Sequence, residues 1–136
     1  MTIHDHRQPA IRVTLLPRDT NPNGTIFGGV ILSYIDQAGA IEAHLHGAER
    51  IVTVAMDQVA FHQPVFVGDL VSFYGDVVKI GRTSITVRVV VEAGRPGATE
   101  PPRRVTEAVL TFVSIDETGR PTPIRPLDTS AASPRP

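Results

Sequence analysis

Cysteine is absent from the 136 residues, and with it go a disulfide framework, a thiolate zinc site and a cysteine nucleophile. Charge is not in excess of either sign: 13 Lys and Arg stand against 14 Asp and Glu, with no run of basic residues. Binding to nucleic acid or to a membrane surface would need a local patch, and none is evident, so neither is an expected partner. Long apolar runs are missing as well. None approaches a membrane span, and no secretory apolar region follows Met1, which makes the cytoplasm the expected location. There Asn23-Gly24-Thr25 would never meet the glycosylation machinery. A G-x-S-x-G elbow, a P-loop and a Rossmann fingerprint are all lacking, which removes the usual signs of several enzyme classes. What remains, 41% hydrophobic and 20% charged residues, is the content of one ordinary globular domain.

The composition divides the chain. Polar residues fill the start, and proline, serine, threonine and alanine fill the end, which cannot bury enough surface to offset the entropy of ordering. A flexible N-terminus is expected over 1–10, the domain over 11–120 and a disordered proline-rich tail over 121–136. Within the domain "IRVTLL" reads as a short strand closed by Pro17, and the segment from Gly28 to about His46 reads as a helix. At roughly 100° per residue, Val30, Ile31, Tyr34, Ile35, Ile41 and Leu45 form one bulky face. Leu32, Gly39, Ala40 and Ala43 form a second, small one. Ser33, Gln37 and His44 make only a narrow polar stripe, so the helix is expected to be mostly buried. Asp36 falls on the small face, where a neighbouring chain or a slim ligand could come close.

Four runs of period two follow, over 50–61, 70–80, 83–93 and 103–115. Their connections are mostly short enough for antiparallel pairing, so the economical solution is an α+β fold with one antiparallel sheet and a single helix across it. Such a helix is covered on one side only. Its other face and the exposed strand of the sheet call for a partner subunit, at least a dimer.

Several motifs, in order, resemble one family. Asp19-Thr20-Asn21-Pro22-Asn23-Gly24-Thr25-Ile26-Phe27-Gly28-Gly29, then Ile35-Asp36-Gln37-Ala38-Gly39, Phe61-His62-Gln63-Pro64, Val67-Gly68-Asp69 and Lys79-Ile80-Gly81-Arg82-Thr83-Ser84 are similar to the hotdog-fold acyl-CoA thioesterases. The branch is that of the YciA-type broad-specificity acyl-CoA hydrolases, and the likeness covers about residues 11 to 116. It implies a five-stranded antiparallel sheet wrapped around one long central helix, dimers that pair their sheets edge to edge, and often trimers of such dimers, that is, hexamers. It places the active sites at the dimer interface.

The chemistry such an enzyme needs is modest. A thiol has a pKa of about 8.5, so the departing thiolate needs no strong general acid. A base to prepare water and donors to hold the oxyanion suffice. Asp36 could be that base, or a nucleophile, and the backbone N–H groups at Gly28 and Gly29 could hold the oxyanion, at a helix end carrying roughly half a positive charge. The resemblance supports this division and implies that Asn21, from the opposite protomer, orients the carbonyl or the water. Plainer readings stand beside these: a solvent-facing or ion-paired acid for Asp36, a turn former for Asn21, a tight helix entry for the glycines. The nucleotide of CoA requires positive groups, and Lys79, Gly81, Arg82, Thr83 and Ser84 gather at one hairpin, the loop the family uses for CoA. Arg103 and Arg104 are a poorer second candidate. His62 lies in the family's loop near the pantetheine arm and reads as a wall of the site. His4, His6, His44 and His46 lack the spacing of a helical metal pair, and no metal or prosthetic group is expected, coenzyme A being part of substrate and product. The expected function is hydrolysis of acyl-CoA to free acid and CoA. The alternative is a non-catalytic acyl-CoA-binding module of the same fold, which would not require Asp36 and Asn21 together. A hydratase would bring an Asp/His or His/Glu pair in a different motif.

Overall fold

The computed structural model describes residues 8–125. The chain begins in strand β1 (Ile11–Thr14), which ends where Pro17 starts a single 3-10 turn through Asp19. Helix α1 (Gly28–Leu45) comes next, followed by four long strands, β2 (Ile51–Phe61), β3 (Leu70–Ile80), β4 (Ser84–Gly94) and β5 (Arg103–Ser114). They form one five-stranded sheet in the order β1-β3-β4-β5-β2, antiparallel throughout. The expected architecture is therefore the observed one, and the strand limits agree to within a residue or two. Among the described residues no helix is long and apolar enough to cross a membrane.

Alternation along the strands builds the core. Phe73 of β3, Ile85, Val87 and Val89 of β4, and Ala108, Leu110 and Phe112 of β5 share one buried cluster with Ile31, Ile35, Ala38 and Ala43 of α1. Each large side chain buried this way contributes about 1.5–3 kcal/mol. Two glycines let the layers approach. A Cβ on Gly39 would stand 3.0 Å from the Phe112 ring, and one on Gly75 would stand 2.9 Å from Cβ of Glu42.

The helix lies differently from its sequence-based expectation. The stripe on the sheet is Ile31, Ile35, Ala38, Gly39 and Ala43, which cuts across the two expected faces. Gly39 and Ala43 meet the sheet rather than a visitor because the Phe112 ring needs the room they leave. Leu32, Asp36 and Ala40 run along the half-buried flank. Nor is the helix mostly buried within one chain. Phe27 is 56% exposed and Leu45 55%, and Ile41 is also open.

The edge strand β2 is the second open surface. Val52, Val54, Val59 and Phe61 are exposed along it. Its ladder with β5 is irregular between Thr53 and Ala55 and between Asp57 and Ala60, where Gln58 takes a positive φ of 51°. Beyond β5, beside the start of β2, the described chain runs on past residue 120. Ile115 and Pro121 form a bridge, Ile124 is buried, and its N–H donates to the Arg82 carbonyl at 2.9 Å. Residues 121–125 thus pack on the sheet through an isoleucine that the prolines around it obscure in the sequence. The remainder of the expected tail, and the expected flexible start over 1–7, lie outside the described residues.

Candidate active site

The loop ahead of α1 is built by Asn21. Its Oδ1 accepts hydrogen bonds from the N–H groups of Asn23 (2.9 Å) and Thr25 (3.2 Å), and its Nδ2 donates to Thr25 Oγ1 at 2.9 Å. The turn-former role is thus on display, and one Nδ2 hydrogen is left over. Main-chain bonds from Ile26 to Val65 and from Phe27 to Asp19 fix the exit of the loop. Phe27 takes the N-cap position in extended conformation with no side-chain cap, and the first turn carries no acid. The N–H groups of Gly28 and Gly29 therefore open α1 without a side chain to neutralise them, which leaves the positive end of the helix available. Both glycines also make room for rings. A Cβ on Gly28 would lie 3.3 Å from the Phe61 ring, and one on Gly29 only 2.8 Å from that of Phe27.

Beside this helix start lies a cavity of about 320 Å³, bordered by Gly28 and Ile31 of α1, Phe61 of β2, His62 and Pro64 after it, and Thr106 of β5. Its wall after β2 is braced by the buried Asp69. Oδ2 accepts from the Phe66 N–H at 3.0 Å and from Arg103 Nη2 at 2.9 Å, and the same Arg103 nitrogen donates to the Pro64 carbonyl at 3.0 Å. Arg95 Nε stands 3.3 Å from Oδ1 without hydrogen-bond alignment. Arg103 is thus occupied as a structural tie, which argues against its use as a phosphate ligand.

His62 borders the cavity, and its ring also meets Glu107, with Nε2 at 3.0 Å from Oε2. Arg88 Nη2 donates to the other oxygen at 2.8 Å. Glu107 is the hub of this cluster. The hydrogen bonds of His62 and then of Arg88 hold its carboxyl below the ordinary value of 4.5. A carboxylate with a lowered folded pKa contributes stability above its unfolded value and loses it as pH falls through the folded one. The difference in melting temperature between the wild type and Glu107→Gln is accordingly expected to be present near neutral pH and to shrink steadily below 4.5. Thermal melts of both proteins across that range check this, and a difference that stays constant into acid would refute it.

Asp36 sits elsewhere. It is half-buried on the flank of α1, where Thr53 Oγ1 of β2 donates to Oδ1 at 2.7 Å. Among the described residues no other hydrogen bond reaches this carboxylate, so one oxygen is anchored and the other is open to a proton. Thr53 is paired with Phe112, and Phe112 with Ile85. That row puts Asp36 level with the start of β4, beside the hairpin that holds Gly81, Arg82, Thr83 and Ser84. In this hairpin the Gly81 N–H donates to the Ser84 carbonyl at 2.8 Å, a Cβ on Gly81 would touch Ser84 Oγ, and the exposed Lys79 and Arg82 flank the turn. Phe61, which packs on Gly28, is paired with Thr106 instead. Thr106 and Phe112 are six residues apart on β5, roughly 20 Å of strand.

Each chain therefore carries two clusters at different levels of the sheet. Asn21, Gly28, Gly29 and His62 gather at the helix start, while Asp36 lies nearer the hairpin of Lys79 to Ser84. Two residues escaped the sequence reading. Thr53 gives no linear sign of holding Asp36, 17 residues away. Thr106 does give one, as the polar member of a core-facing series with Ala108, Leu110 and Phe112. Among the described residues no group of three or more His, Cys, Asp and Glu side chains is placed to hold a metal ion.

Comparison with known proteins agrees with this architecture. The pattern of the Thioesterase superfamily matches residues 23–99. The acyl-CoA thioester hydrolase YciA of Salmonella typhimurium is 40% identical over 117 residues, 84% of this chain and 87% of the relative. A hexameric hotdog fold thioesterase of Campylobacter jejuni superposes with a TM-score of 0.80 at 46% identity, over 89% of this chain and 92% of that one. A hexameric broad specificity acyl-coenzyme A thioesterase, solved with an aspartate changed to alanine, superposes with a TM-score of 0.83 at 39% identity, over 90% and 89% of the two chains. With most of its length matched in both sequence and fold, the chain belongs to the thioesterase superfamily as a hotdog-fold thioester hydrolase of the YciA type.

Proposed function

We propose that the protein hydrolyses acyl-CoA thioesters to free carboxylic acid and CoA at sites shared between two protomers, without a metal or prosthetic group. One observation carries the shared site. Gly28 and Asp36 are eight residues apart on one helix, roughly 12 Å along its axis, whereas attacking water and carbonyl must meet at about 3 Å. A carbonyl held at the helix start is out of reach of the same chain's Asp36. A two-fold partner solves this. The outer edge of β2 has no ladder partner among the described residues and bears exposed valines, which suits edge-to-edge pairing. Antiparallel pairing across a two-fold axis reverses the partner, so its helix start comes toward this chain's Asp36. Pairing of this kind would also cover the exposed side of α1. The hexameric state of the solved relatives is consistent with three such dimers in one assembly.

In this arrangement Asp36, anchored through Oδ1 by Thr53, takes a proton from water with Oδ2. Hydroxide equivalent adds to the thioester carbonyl, and the negative charge on its oxygen is met by the N–H groups of Gly28 and Gly29 of the other protomer. Collapse of the adduct breaks the C–S bond and releases CoA thiolate, a leaving group stable enough to depart unprotonated. Attack by the carboxylate itself, through an anhydride, is a second route by the same residue. Asn21 shapes the loop that presents the helix start and has one amide hydrogen to offer. His62 walls the cavity beside the pantetheine arm, and Lys79, Gly81, Arg82, Thr83 and Ser84 receive the phosphates at the Asp36 level. Such an enzyme would serve soluble acyl-CoA in the cytoplasm. Thiol release from a panel of acyl-CoAs, short to long, tests the reading. Turnover of at least part of the panel is expected, and binding of every member without hydrolysis of any would replace the enzyme by an acyl-CoA-binding module.

A further inference from the structure

The cavity at the helix start contains a polar group that the reaction above leaves idle. Thr106 is 1% exposed, borders the cavity, and its Oγ1 has no hydrogen-bond partner among the described residues. Asp69, the other residue with such an atom among the described residues, has Arg95 within 3.3 Å of it, whereas Thr106 Oγ1 has no charged group beside it. Its neighbours on the same side of β5, Ala108, Leu110 and Phe112, are apolar and fully packed. A hydroxyl kept in such a row without a partner costs about 1–3 kcal/mol, a cost that disappears when an acceptor enters the cavity. Thr25, His62 and Gln63 also line this space, yet none of them bonds the Thr106 hydroxyl, while Gly28, at the uncapped start of α1, borders it as well. A main-chain N–H at the helix start and a side-chain O–H thus belong to residues that border one cavity with a mostly apolar wall. That is a pairing suited to a single oxygen on which negative charge develops.

Resting on the acyl-CoA reading above, we propose that Thr106 is a catalytic residue whose hydroxyl donates a hydrogen bond to the thioester carbonyl oxygen held at the start of α1. The bond strengthens as the carbonyl becomes an oxyanion, so its removal acts on kcat more than on KM. The test uses the full-length assembled protein with Thr106→Val and Thr106→Ser. Valine keeps the shape and removes the donor, so kcat should fall by about a hundredfold with KM little changed. The melting temperature should hold or rise, since an unpaired hydroxyl gives way to a methyl group. Serine keeps the donor and should retain most of the wild-type kcat. Wild-type kcat in Thr106→Val overturns the proposal. So does an equal loss in Thr106→Ser, which would assign the effect to the methyl group, or a loss that follows a lowered melting temperature. A wild type that releases no thiol from any acyl-CoA defeats the reading beneath the proposal as well, and is told apart because the unmutated protein is then itself silent.

Discussion

Asp36→Asn is expected to lower acyl-CoA turnover by at least about a hundredfold, the scale of a lost general base, while fold, assembly and CoA binding persist. The expectation rests on what the substitution keeps. Asparagine has the shape of aspartate, and its Oδ1 can still accept the 2.7 Å hydrogen bond from Thr53. What it loses is the second oxygen's ability to take a proton or to attack. The position is half-buried on the helix flank, outside the packed cluster of Ile31, Ile35, Ala38 and Ala43, so no cavity opens and no buried charge is orphaned. Equal CoA affinity by calorimetry, an unchanged elution volume and collapsed thiol release would together place the loss in the chemical step. Turnover within about tenfold of wild type would remove Asp36 from that step, since water activation by a positioned carboxylate is worth more than that.

The fold was legible because strand alternation is a local signal. The four runs of period two, over 50–61, 70–80, 83–93 and 103–115, each correspond to a strand whose ends lie within a residue of those limits. Helix orientation was less legible, since a helix with large residues on one side and small ones on the other does not announce which side meets a sheet. The decision was made by Phe112, some seventy residues later, whose ring requires Gly39 and so pulls the small side inward. Long-range side-chain partnerships were illegible for the same reason. Thr53 reaches Asp36, and Glu107 gathers His62 and Arg88, only once β2, β4 and β5 lie in register. The candidate site was read residue by residue from motif order, but not its division into two levels. The rise of a helix, about 1.5 Å per residue, decides that Gly28 and Asp36 cannot serve one carbonyl from one chain.

That division makes a quantitative prediction about mixed assemblies. Asp36→Asn removes the base but leaves the helix start intact. Gly28→Val puts a branched side chain into the cavity beside Phe61, where even one Cβ would lie 3.3 Å from the ring, and leaves Asp36 intact. Each variant alone should be nearly inactive. In a hybrid dimer one site receives both defects, and the other receives the sound helix start of the first chain and the sound Asp36 of the second. Random reassembly at equal amounts makes half of the dimers hybrid, with one sound site in each. Thiol release should therefore recover to about a quarter of the wild-type level per chain. Recovery should appear only after subunits are dissociated and reassembled together, because mixing intact assemblies exchanges nothing at first. If each site belonged to one chain, every hybrid would carry two defective sites and reassembly would restore no activity. The outcome thus separates a shared site from a private one without reference to the acyl chain, and it holds whether Asp36 activates water or attacks the thioester directly.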